Sequence, residues 1–184
     1  MSVISKLDRR IVIGPVRICY PNIFVPRSMV AGDELKYSAC FLIPKEDTNL
    51  VEKIRQAIGR AQIAGADLWG GGIPEDLKLP LRDGDGERGH KEEFIGHFFL
   101  NAVSRDQPGV VDRRRKEIID PREVYPGCYC NVSLTFYPFN EGTFNGVGCG
   151  LINIQKVADG EILTLRTTPE EDFQILYDHE DSLS

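Results

Sequence analysis

Residues 126–140, "PGCYCNVSLTFYPFN", decide the fold. At every second position, Cys128, Cys130, Val132, Leu134 and Phe136 fall on one side of an extended chain, and Tyr129, Asn131, Ser133, Thr135 and Tyr137 on the other. Successive side chains of a β-strand point to opposite faces, so this two-residue period separates an apolar face from a polar one. The segment predicts a strand with one side in a core. Its polar side carries two tyrosines.

The same reasoning extends in both directions. "RIVIGPVRICY" (10–20) reads as a strand with Val16, Ile18 and Tyr20 on one face, followed by a Pro-bounded loop over 21–34. In "LKYSACFLI" (35–43), Leu35, Tyr37, Ala39, Phe41 and Ile43 alternate with Lys36, Ser38 and Cys40. Strand patterns return in 94–104, in "GVGCGLINIQKV" (146–157) and in "EILTLR" (161–166), the last two joined by an "ADG" turn that predicts a hairpin. One segment changes period: Leu50, Val51, Ile54, Ala57, Ile58 and Ala61 form a helical stripe, with Asp47 or Thr48 to cap its start and Gly65 to end it. Six or so strands and one interposed helix predict a mainly β, single-domain barrel or sandwich.

A chain of 184 residues with 41 % hydrophobic content is long enough for a proper core. No window approaches the ~18 consecutive apolar residues of a membrane helix, and "MSVISKLDRR" carries no secretory signal pattern, so no membrane association and a cytoplasmic location are expected. The five cysteines, with no C-x-x-C pair, are expected to be reduced, buried thiols rather than a zinc site. The net charge of -6 is concentrated at one end. After Arg166 there is no Lys or Arg, while Glu170, Glu171, Asp172, Asp178, Glu180 and Asp181 follow. Such asymmetry marks an interaction tail or a solvated end.

The stretch "LRDGDGERGH" (81–90) invites a metal reading. As a calcium loop it fails, because the sixth and twelfth positions are Arg88 and Phe94 instead of Gly and Glu. A Mg2+-dependent nuclease centred on Asp83, Asp85 and Glu87 is one alternative, and a polar hairpin or loop turn shaped by Asp-Gly pairs is the plainer reading. No G-x-S-x-G, P-loop or dinucleotide fingerprint is present. Single-strand binding fits the residues better, since it needs cations for phosphates and aromatic faces for bases. Candidates are Tyr37, Tyr129, Asn131 and Tyr137 for base contact, with Lys36, Arg82, Arg88, Lys91 and the run Arg113, Arg114, Arg115, Lys116 for phosphate contact. No catalytic residue, metal ligand or cofactor is expected. A further alternative is a protein-interaction module acting through its tail.

Several segments together resemble a known family: "RICYPNIFVP", "LKYSACFLIPKEDT", "KLPLRDGD", "GHFFLNAVSRDQPGVVD", "VYPGCYCNVSLTFYPFN" and "GVGCGLINIQKVADGE", in order over about residues 11 to 161. They look like the OB-fold single-stranded DNA-binding proteins of tailed phages and prophages. The resemblance implies a five-stranded OB barrel with an inserted helix over 1–166 and a flexible acidic tail over 167–184. It also implies sequence-tolerant binding of single-stranded DNA in phage replication or recombination. In that picture Glu170, Glu171, Asp172, Phe173, Asp178, Glu180 and Asp181 recruit replication or recombination proteins, or compete with DNA for the basic groove. A homodimer is compatible with it. Two features depart from the family pattern: the chain ends "DHEDSLS" without a terminal aromatic, and "DRRRKE" has no counterpart.

Overall fold

The computed structural model describes residues 7–28, 30–163 and 172–176. Its elements are β1 (Arg10–Arg27), β2 (Lys36–Pro44), α1 (Thr48–Ala64), β3 (Leu81–Asp83), α2 (Gly84–Arg88), β4 (His97–Ser104), β5 (Gly109–Val111), β6 (Tyr129–Glu141) and β7 (Phe144–Ala158). Antiparallel pairings run β4-β2-β1-β6-β7, and a parallel contact of β4 with β7, at Val103 and Gly150, closes the ring. Closure leaves none of these five strands with a fully open edge. Two short strands are added outside it: β3 along the first part of β4, and β5 parallel to the end of β7. This is the expected OB-type barrel with one main helix.

The interior is the face that the two-residue period selected. Cys128, just before β6, and Cys130, Val132, Leu134 and Phe136 of β6 are all buried, in one cluster with Ile11, Ile13, Val16 and Ile18 of β1 and Phe41 and Ile43 of β2. The helical stripe Val51, Ile54, Ala57, Ile58 and Ala61 joins the same cluster. Asp47 caps the helix, its carboxylate accepting from the Leu50 N–H at 3.1 Å, and Gly65 ends it. All five cysteines are free and buried.

The structure corrects four readings. β1 does not stop at residue 20 but continues to Arg27, through register shifts between Cys19 and Arg27. Tyr20 has a φ of 45°, which breaks the alternation, so it packs outside the barrel instead of joining Val16 and Ile18. Leu35 precedes β2 and is exposed. The hairpin expected at "ADG" is absent: β7 ends at Ala158 and 159–163 form no strand, with 164–166 outside the described residues. The hairpin at this end of the chain is β6–β7 itself, turning at Gly142 and Thr143 between paired Glu141 and Phe144.

Cys40, placed on the polar side of its strand by alternation, is also buried. A second small core of Cys19, Cys40, Leu42, Phe94 and Phe99 lies on the outside of the barrel. Residues 81–96 cover it, with Phe94 meeting Phe99 edge-on at 5.2 Å. Gly84 lets this cover sit close: a side chain there would lie 2.4 and 2.5 Å from the carbonyl oxygens of Phe94 and His97.

Candidate nucleic-acid interface

The outward residues of β6 and β7 meet as cross-strand pairs: Phe139 with Gly146, Tyr137 with Gly148, and Thr135 with Gly150. Glycine at these positions lets aromatic rings lie down on the neighbouring strand. A β-carbon at position 148 would come within 2.4–2.6 Å of two ring carbons and the hydroxyl oxygen of Tyr137, and one at 146 within 2.7–2.9 Å of the Phe139 ring. Tyr137 is 39 % exposed, resting on glycine with part of its surface toward solvent. Burial raises its phenol above the usual tyrosine value, so the hydroxyl stays neutral near neutral pH. Arg105 is near enough that its charge opposes this rise, and it pairs with Glu34 at 3.2 Å. On the adjoining surface Arg27, Lys36, Ser38 and Val103 line a groove together with Asp33 and Glu34.

Farther down the ribbon the surface turns polar. Ser133 Oγ accepts from the Asn153 N–H at 3.0 Å, and the Asn131 amide donates to Gln155 Oε1 at 3.1 Å. Arg10 and Arg115 line the groove over these pairs, with Val12 and Val111. At the far end stands Tyr129, 37 % exposed, with the Arg17 guanidinium 5.8 Å from its ring centre. Tyr129 and Tyr137 point the same way from one strand, and eight residues at ~3.3 Å each put them about 26 Å apart along it.

The residues expected from sequence therefore separate into three groups. Tyr137 belongs to the glycine-floored end of the ribbon, and Lys36 to the groove beside it that shares Glu34 with Arg105. Tyr37, half-buried and paired with Ser104, alternates with Lys36 and so faces the other side of β2. Arg82, Arg88 and Lys91 sit on the cover over the second core. The Arg82 guanidinium lies 5.1 Å from the Phe99 ring and pairs with Glu87, Arg88 lies 5.8 Å from Phe94 and Phe99, and Lys91 donates to the Tyr20 hydroxyl at 3.0 Å. Asn131 and Tyr129 lie at the far end of the ribbon, where the Arg113–Lys116 turn also stands. The Asp112 carboxylate shapes that turn by accepting from the N–H groups of Arg114 (2.7 Å) and Lys116 (2.9 Å), and Arg115 takes a φ of 65°. Asp112 is held below the ordinary carboxylate range by those bonds, the one from Lys116 contributing most. None of the four basic side chains forms a salt bridge among the described residues.

The acids of 81–90 are occupied in folding. Asp83 caps α2, accepting from the N–H groups of Asp85 and Gly86, and Asp85 accepts from the Gly96 N–H at 2.9 Å. The Lys45 ammonium lies between the two carboxylates at 2.7 and 2.6 Å. It is the main reason both titrate below the usual range. The partners of these carboxylates are thus a lysine and backbone amides, and no group of three or more potential metal ligands occurs among the described residues. Of the tail candidates, Asp172 and Phe173 are described, Phe173 being 74 % exposed. Glu170, Glu171, Asp178, Glu180 and Asp181 lie outside the described residues.

Sequence reasoning missed Arg27, Arg105, Phe139 and the glycine floor. The signal was present: "GVGCG" places Gly146, Gly148 and Gly150 on one face of a strand, and 135–139 places Tyr137 between Thr135 and Phe139 on one face of its neighbour. What could not be read was that the two segments are in register.

An OB-type barrel with an aromatic, cation-flanked ribbon on its outer face is the class that this architecture defines. Residues 9–183 match the family model described as Enterobacter phage Enc34, ssDNA-binding protein, and the chain belongs to that family. Protein p50 of Acyrthosiphon pisum secondary endosymbiont phage 1 is 31 % identical over 166 residues, covering 84 % of this chain and 86 % of that protein. Among solved structures, the single-stranded DNA-binding protein from bacteriophage Enc34 in complex with ssDNA superposes with a TM-score of 0.73 at 24 % identity, covering 84 % of this chain and 89 % of its own. The single-stranded DNA-binding protein gp2.5 encoded by bacteriophage T7 has a TM-score of 0.60 at 15 % identity, with 91 % and 98 % covered. Among the described residues no helix is long and apolar enough to cross a membrane.

Proposed function

We propose that this chain is a non-enzymatic, sequence-tolerant single-stranded DNA-binding protein acting in phage DNA replication or recombination in the host cytoplasm. The observation that carries the reading is Tyr137 laid on the Gly148 floor, with the Arg105 charge acting on it and with Arg27 and Lys36 in the groove that shares Glu34 with Arg105. Every base has a π-face, so a ring presented this way stacks without reading sequence, while the cations meet phosphate. Membership of the Enc34 family supports the same reading.

Fluorescence anisotropy of labelled single- and double-stranded oligonucleotides across a salt series, with and without Mg2+, tests it. The expected result is salt-weakened binding of the single strand without cleavage. Failure of the full chain to bind single-stranded DNA would overturn the reading. The division into a binding body over 1–166 and a tail over 167–184 rests on the six acids after Arg166 and belongs to the same proposal. A tail that competes with DNA for basic groups predicts tighter binding once 167–184 are removed, and an unchanged affinity would remove that role.

A further inference from the structure

The sides of the β6–β7 ribbon carry aromatic or cationic groups at both ends. At the hairpin end these are Tyr137 and Arg105. At the other they are Tyr129, with Arg10 and Arg115 over the rungs formed by Asn131 with Gln155 and Ser133 with Asn153. Neither Arg10 nor Arg115 forms a salt bridge among the described residues. The second cation is built into place. Gln155 accepts from Asn131 and donates to the Asp112 carbonyl at 3.3 Å, which ties the arginine turn to the ribbon, and the Asp112 carboxylate closes the turn. A loop held at both points presents Arg115 at low entropic cost.

We infer that the single strand runs along the ribbon instead of being confined to the Tyr137 end, with Tyr129, Arg10 and Arg115 forming a second contact reached only by longer DNA. The inference rests on the binding function proposed above and specifies its footprint. The two tyrosines lie about 26 Å apart along the strand, a span too long for one stacking step and within the ~4–16 nucleotides that OB folds occupy. The part-exposed Asn131 and Gln155 amides and the exposed Asn153 amide between the two posts offer hydrogen bonds to whichever base or phosphate crosses them.

The test compares oligonucleotides of about 4 and about 16 nucleotides on the full chain, the limits of the OB-fold range. A variant combining Tyr129→Ala, Arg10→Gln and Arg115→Asn removes the second binding region. Asn is chosen at 115 because it tolerates the left-handed backbone there. The expected result is an affinity for the long oligonucleotide lowered by about tenfold or more, with the short one unaffected. The salt dependence for the long one should become shallower by roughly 0.7 for each phosphate that is no longer neutralised. Tyr137→Ala should weaken both lengths. Equal weakening of both lengths by the triple variant, or no weakening of either, overturns the inference while leaving the binding function standing. An unchanged long-oligonucleotide affinity combined with loss of the effect of deleting 167–184 would overturn it too, by assigning the groove to the tail. Absence of binding by the unaltered chain is a different outcome and refutes the function itself.

Discussion

The outer surface of the barrel is used in two opposite ways. Where β1, β2 and β4 run side by side, Cys19, Cys40, Leu42 and Phe99 face outward, and residues 81–96 pack over them. Along β6 and β7 the outward positions hold Tyr137, Thr135, Ser133 and Asn131 opposite Gly148, Gly150, Asn153 and Gln155. The strand geometry is the same in both halves, so the difference lies in side-chain chemistry. Apolar outward residues gain about 25 cal/mol for each Å² removed from water, which favours a cover. Glycines, amides and a ring with a polar tip gain little from one and are left open. The covered half teaches where the fold places an insertion, and the open half where it offers a surface.

The sharpest way to break this contrast is Phe99→Ala. It removes a fully buried ring from the covered half and should cost about 3–5 kcal/mol of stability in urea or thermal denaturation. The affinity of the folded protein for single-stranded DNA should not change. A loss of affinity beyond the unfolded fraction would show that the two halves are not separate in role.

Tyr137→Ala should do the reverse, weakening single-strand binding by about 1–3 kcal/mol in anisotropy titrations with little effect on the melting temperature. Gly148→Val should weaken binding in the same direction with the tyrosine still present, because the new side chain occupies the place of the ring. Unaltered binding by Gly148→Val would mean that the posture of the ring is immaterial. Smaller still is Asp47→Ala, which touches neither half. Loss of this cap should cost about 1 kcal/mol in denaturation and leave DNA affinity alone.

The smallest effect concerns the acid side of the covered half. Asp83 and Asp85 titrate lower when folded than the ordinary value of 3.8, chiefly through Lys45. Their pairing therefore stabilises the fold above that value and is lost as pH falls through the depressed folded values. Lys45→Met should flatten the acid limb of stability against pH. An acid limb as steep as in the unaltered chain would show that Lys45 is not what holds these carboxylates.

Much of the barrel was legible in the sequence, but less of the interface. The face of β6 that enters the core, and the helix from its Asp47 cap to Gly65, follow from spacing and from groups a few residues apart. The ribbon did not follow, because Tyr137 is informative only when Gly148 lies beneath it. The sequence groups Arg82, Arg88 and Lys91 with Lys36 as cations, and only the fold places them over Phe94, Phe99 and Tyr20 on the cover. The acids of "LRDGDGERGH" likewise turn out to be a helix cap, a backbone acceptor and partners of Lys45 and Arg82.

By itself, then, the sequence determined which residues share a face and where the helix begins and ends, since alternation and capping depend only on near neighbours along the chain. The tertiary structure alone decided that Val103 lies beside Gly150, that Cys40 and Phe99 are covered although they face outward, and that Tyr137 rests on Gly148. Each of these depends on the register between strands far apart in the chain or on an insertion folding back across them. Periodicity assigns a residue to a side of its strand, but only the packing of distant segments decides whether that side meets water.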